Sequence, residues 1–161
     1  MDEGKARDLA GEWHALNGGG STLPYYEHLV HALGGLIPDD LVAAAAVSGE
    51  DGPMIVALGD RRLFAALPRE ATGDTGVELK VVSLEIIQTQ VAVTEHFVET
   101  PRLARRRRWS FSTPAAEIVF TTEQTLRTAF SLEREAGKDE LVARAIAGAL
   151  GWLVPFSEKT H

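Results

Sequence analysis

Ala6, Leu9, Ala10, Trp13 and Leu16 recur at spacings of three and four, which predicts one apolar stripe of a helix over residues 2–16. Asp2 and Glu3 suit its N-terminus, where the helix dipole favours negative charge. Asn17 and the triplet Gly18 to Gly20 stop it, because glycine readily takes the positive φ that follows a helix. A second helix then opens with Ser21 or Thr22 as cap and Pro24 in its first turn. Tyr25, Leu29, Ala32, Leu33 and Leu36 form its apolar side, and Gly34, Gly35 and Pro38 end it.

From Leu41 the pattern becomes that of strands. LVAAAAV (41–47) leads into the turn-like SGEDGP, and PMIVALGDRRLFAALP follows, with Gly59-Asp60 dividing two apolar runs. The first run also fits a short helix capped by Asp39 or Asp40, since four alanines follow; a strand is the reading adopted. Met54, Val56 and Leu58 are apolar on one parity and Ile55 and Ala57 on the other, which predicts a sheet covered on both faces, the N-terminal helices supplying one cover.

ATGDTG (71–76) reads as a loop, and the long run after it needs a bend or break near Ser83 to Ile87. Ile87, Thr89, Val91 and Val93 alternate with Gln88, Gln90, Ala92 and Thr94 as a half-buried strand. A loop at HFVETPR precedes the arginine run, in which Trp109 and Phe111 share a face with Arg105 and Arg107, opposite Arg106 and Arg108, until Pro114 closes the strand. Ala116 to Thr121 and Leu126 to Glu133 form the clearest predicted hairpin. Lys138 or Asp139 opens a last helix, with Leu141, Val142, Ala145, Ile146, Ala149, Trp152 and Leu153 at helical spacing, and Pro155 ends it.

The chain of 161 residues is the size of one domain, is 45% hydrophobic and 24% charged, and has no linker-like tract. No 20- to 50-residue period repeats, which excludes solenoids and propellers. Without cysteine it can build no disulfide, thiolate nucleophile or sulfur-ligated metal site. The acidic N-terminus lacks a secretory pattern, so a cytoplasmic location is expected, and no run of eighteen apolar residues predicts a transmembrane segment. A formal net charge of −7 disfavours bulk nucleic-acid binding, which depends on neutralising phosphates.

Two helices, about seven antiparallel strands and a C-terminal amphipathic helix define an α+β chain that resembles the pleckstrin-homology-like (PH-like) superfold, in particular small bacterial members, over residues 41–153. LGDRRLF (58–64) looks like a turn-plus-strand segment of those domains, and Trp152 stands where they often pack a tryptophan against the barrel. The resemblance implies a bent antiparallel sheet or partly open barrel with a capping helix, residues 41–161, preceded by a helical extension, residues 1–40, packed with it as one unit. The family's phosphoinositide headgroup site would fall in VSGEDGP, where Glu50 and Asp51 would repel a phosphate, so that site does not carry over.

Five arginines, Arg102 and Arg105 to Arg108, crowd seven positions. Arg102, Arg105, Arg106 and Arg108 are the candidates for binding an anion or a partner, since guanidinium forks match phosphate and carboxylate groups. Against this, strand arginines commonly pair with carboxylates such as Glu95, Glu99 or Glu117. His28 and His31 share a helical face beside Glu27, with His14 on the preceding helix, as metal-ligand candidates, although no zinc-protease spacing is present. Residues 17–22, NGGGST, lack a P-loop ending. Asp39-Asp40 and Glu50-Asp51 have no partner histidine at readable spacing, and no Ser/His/Asp triad is legible. These features suggest first a non-enzymatic module, without cofactor, that binds a protein partner or another copy of itself. The alternatives are recognition of an anionic ligand (lipid headgroup or nucleic acid) by the Arg102–Arg108 stretch, and a metal-dependent enzyme using the histidine-bearing helices.

Overall fold

A computed structural model of the chain describes residues 1–17, 23–71, 74–84, 89–99, 103–125 and 137–151. Helix α1 is Glu3–Leu16, started by the Asp2 side chain, which accepts from the Lys5 N–H at 2.8 Å, and closed by Asn17. Ala6, Leu9, Ala10 and Trp13 are buried, whereas Leu16, at the end of the stripe, remains exposed. The Trp13 indole N–H reaches the Pro53 carbonyl at 2.8 Å and ties the helix to the sheet.

Helix α2, Leu23–Leu36, departs from the expected stripe. Leu29, Val30, Leu33 and the following Ile37 are buried, and Leu36 is exposed because the buried face is rotated toward Val30. Gly34 and Gly35 lie inside the helix instead of ending it. Their turn is held by the Met1 ammonium, which donates to the carbonyls of Gly34 and Ile37 and satisfies acceptors that a helix C-terminus leaves open. The expected cap at Ser21 or Thr22 lies outside the described residues.

The described residues form seven strands, β1 (Ala43–Gly49), β2 (Gly52–Gly59), β3 (Arg62–Ala71), β4 (Asp74–Ser83), β5 (Gln90–Val98), β6 (Ala104–Ser112) and β7 (Glu117–Thr125). They form one antiparallel sheet in the order β4-β3-β2-β1-β7-β6-β5, which does not close. Two meanders, β1 to β4 and β5 to β7, meet at a short seam of two pairs, Ser48↔Thr121 and Gly49↔Phe120. Helix α3, Lys138–Ala149, packs on β1, β2 and β7.

The double-parity pattern of β2 has the consequence expected of it. Met54, Val56 and Leu58 join a core that also holds Trp109, Phe111, Phe120 and the buried side of α3. Ile55 and Ala57, on the opposite parity, join a second core with α1 and α2. The sheet therefore has an oily layer on each face.

Several boundaries differ from expectation. Residues 41–48 do not form a helix: pairing with β2 over Ala43 to Gly49 outweighs the helix propensity of alanine. Strand β3 runs to Ala71 and β4 starts at Asp74, so most of the expected loop 71–76 is ladder. His96, Phe97 and Val98 are strand instead of loop, since Val98 still pairs with Ala104 across β6. Strand β7 continues through Thr125, opposite Ala104, where a hairpin turn was expected; residues 126–133 lie outside the described set. In α3 the buried side is Glu140, Val142, Ala143, Ile146 and Ala147, while Leu141 and Ala149 are exposed; Trp152 and Leu153 lie outside the described residues.

Candidate functional site: the arginine strand and its edge

Strand alternation sorts the arginines of β6 onto two faces. Arg105 and Arg107 project with Trp109 and Phe111 into the α3-side core, where both are buried. Trp109 is fully buried and stacked on Phe111, with ring centroids 6.1 Å apart, so it packs in the core and offers no open face for stacking a ligand.

The two inward guanidiniums enter a network closed by α3. Arg107 donates from Nη1 to Glu140 Oε2 at 2.5 Å and from Nε to Glu95 Oε1 at 3.1 Å. Arg105 pairs through Nε with the same Glu95 oxygen at 3.1 Å and donates to Gln124 Oε1 at 2.8 Å. Arg144 donates to Glu140 Oε2 at 2.9 Å. Thr122 accepts from the Trp109 indole at 2.9 Å and donates to Glu140 Oε1 at 2.8 Å. Among the described residues three guanidiniums thus share two carboxylates, and burial, followed by the neighbouring Arg107 charge, pushes Arg105 below its ordinary pKa. Unpaired, each buried charge would be costly; paired, the cluster is an internal fastener between β6 and α3.

The two outward arginines face carboxylates of their own. Arg106 forks onto Glu123 Oε2 from Nε at 3.1 Å and Nη2 at 2.7 Å, across the register pair Arg106↔Glu123. Arg108 binds Glu50 of the β1–β2 turn through Nε, at 3.2 Å, and through Nη2. Arg102 lies outside the described residues. The charge crowding that suggested an anion surface is therefore divided, among the described arginines, between an interior network and two surface ion pairs.

The β1–β2 turn itself is acidic, as expected, and borders a cavity of about 90 Å³. Met54, Ala65, Leu67 and Ile118 give it apolar walls, and Glu50, Asp51, Lys80 and Glu117 surround its mouth. It is smaller than the several hundred Å³ that usually hold a drug-sized ligand.

The histidine candidates do not assemble. His28 and His31 are exposed, and the His14 ring stands edge-on to Tyr26, centroids 6.4 Å apart. Glu27, the carboxylate beside them, is held by Arg7 at 3.1 Å, a contact that raises the Arg7 pKa above its ordinary value. Among the described residues no three His, Asp or Glu side chains come together to hold a metal ion, and no helix is long and apolar enough to cross a membrane.

What lies next to the arginine strand is more open than the strand. Among the described residues β5 pairs only with β6, so its other edge presents backbone donors and acceptors. Phe97, opposite Arg105, is 62% exposed at this edge. Glu140 and Phe97 were missed in the sequence as site residues. No signal marked the first, which precedes the predicted apolar stripe at Leu141 and is buried by a rotation of α3, and none marked the second, which sat in an expected loop. Comparison of the chain with protein-family models, curated proteins and solved structures finds no match.

Proposed function

We propose that this chain is a non-enzymatic binding module that docks a protein partner, or a second copy of itself, along β5. The observation that carries this reading is the nine-residue edge with a largely exposed phenylalanine beside arginines that face carboxylates. Main-chain groups on such an edge supply affinity, and side chains on alternate positions supply specificity. Two meanders followed by a helix on β1, β2 and β7 support the PH-like reading of residues 41–153. Fold alone names no ligand, so the function rests on the edge.

Affinity capture from the native host, with wild type and Phe97→Asp compared side by side and binders identified by mass spectrometry, tests the reading. A specific partner retained by wild type and lost from the variant is expected. Identical profiles, together with monomeric behaviour of wild type in light scattering, would overturn it.

A second reading keeps the outward arginines as a weak anion-binding face, because Arg106 and Arg108 are still 40% and 47% exposed beside their carboxylates. An anionic ligand would then have to displace Glu123 and Glu50.

A further inference from the structure

The two sheet edges are protected unequally. Strand β4 carries Glu78 and Lys80 at its edge, and Lys80 lies across the small cavity from Glu117 to Val119 of β7. Charged side chains and a covering element are the ordinary means of keeping an edge from pairing. Strand β5, QVAVTEHFV, has no lysine or proline and runs in unbroken register with β6 from Gln90↔Ser112 to Val98↔Ala104. Its single carboxylate, Glu95, is already bound by Arg105 and Arg107.

We infer that the occupant of this edge is the β5 strand of a second copy, paired antiparallel about a two-fold axis through Thr94, so that two seven-stranded sheets continue into one. This rests on the binding-module reading and names its partner. The nine residues are self-complementary in that register. Val91 falls opposite Phe97 of the other copy, and the pair occurs twice, on the face where Val91 already packs against the α3-side core. Each exposed phenylalanine is thereby covered by a β-branched neighbour, a favourable cross-strand combination. On the opposite face Thr94 meets Thr94, Ala92 meets His96 and Gln90 meets Val98. The two Glu95 side chains end diagonal to each other, each screened by its own arginines. No like charges stand directly opposite. Any other antiparallel register leaves part of the strand unpaired or moves Phe97 away from Val91.

One strand pair is a small interface, so the dimer is expected to be reversible and on the order of micromolar. The chain has no native cysteine, which makes a single introduced thiol an unambiguous reporter. Oxidation of full-length Thr94→Cys should give a disulfide-linked dimer at least ~10-fold faster than Gln90→Cys, because only the axial position meets itself. Sedimentation equilibrium of wild type should show a concentration-dependent dimer that Phe97→Asp weakens by ~10-fold or more, the loss of about 1.4 kcal/mol, with unchanged far-UV circular dichroism. Equal cross-linking rates at the two positions, a dimer indifferent to Phe97→Asp, or a wild type monomeric to about 1 mM would overturn the self-pairing. In the monomeric case, a captured partner that is lost with Phe97→Asp would leave the module reading standing, and absence of both would remove both.

Discussion

Glu140 shows how much one side chain can be asked to do. It is 2% exposed and accepts from Arg107, Arg144 and Thr122. Deleting its charge takes from the buried Arg107 one of its carboxylates and from Arg144 the same one, so Glu140→Leu should cost about 3–5 kcal/mol in urea denaturation. Arg106→Ala, which breaks an exposed pair with Glu123, should cost about 1 kcal/mol or less. Losses of equal size would mean that the inner network is no more than a surface pair. Asp139, next in chain, is raised above its usual 3.8 by burial, against the opposing hydrogen bonds from the Glu140 and Glu123 N–H groups. The folded state therefore holds this proton more tightly than the unfolded chain. Its stabilising contribution is complete below 3.8 and disappears as pH rises through the raised folded value. Stability of Asp139→Asn relative to wild type should accordingly climb across that window and then level off, as read from urea midpoints at successive pH values. For the outward arginines, Arg106→Ala with Arg108→Ala should leave retention on anionic vesicles unchanged if Glu123 and Glu50 already satisfy them, and should lower it if the second reading holds.

Among the elements, the β1–β2 hairpin is the most demanding locally. Gly49 pairs with Gly52 around the two-residue turn Glu50-Asp51. Gly52 has φ of +119°, a region other residues rarely enter, and a Cβ on Gly49 would lie 2.9 Å from the Gly52 carbonyl oxygen. Gly52→Ala should therefore lose about 1–3 kcal/mol, measured by thermal unfolding, and should also loosen Arg108, whose partner Glu50 sits in this turn. This hairpin was legible as SGEDGP, and the two-sided burial of β2 was legible from its parity, because both depend on neighbours along the chain. The end of β5 was not legible: His96 and Phe97 become strand through residues of β6, and no local pattern announces that. The facing of Arg105 and Arg107 could be read from alternation, whereas the carboxylate that receives Arg107 comes 33 positions later on a helix. The burial of Glu140 depends on how α3 is rotated against the sheet, which an apolar stripe defines only to within about one residue.

At the scale of the whole molecule, net charge bears on the proposed association. A formal net charge of −7 on each copy opposes any contact between two of them, although the proposed pairing strand, with Glu95 as its one carboxylate, carries little of it. Added salt shortens the reach of that repulsion to about 8 Å at physiological ionic strength and about 3 Å at 1 M. Dimerisation through β5 should therefore strengthen with sodium chloride in sedimentation experiments, the reverse of what binding of an anionic ligand to the arginines would do.

The apolar layer on each face of β1 to β3 also alters what keeps these strands in step. In a sheet with one wet face, a slip of one residue sends oily side chains into water and is rejected at once. Here Met54, Val56 and Leu58 would merely exchange layers with Ile55 and Ala57, passing from one dry core to the other. Polarity cannot veto that error. Correct alignment must be imposed by the close-fitting turns at Glu50-Asp51 and Asp60-Arg61 and by the unequal volumes of the two linings.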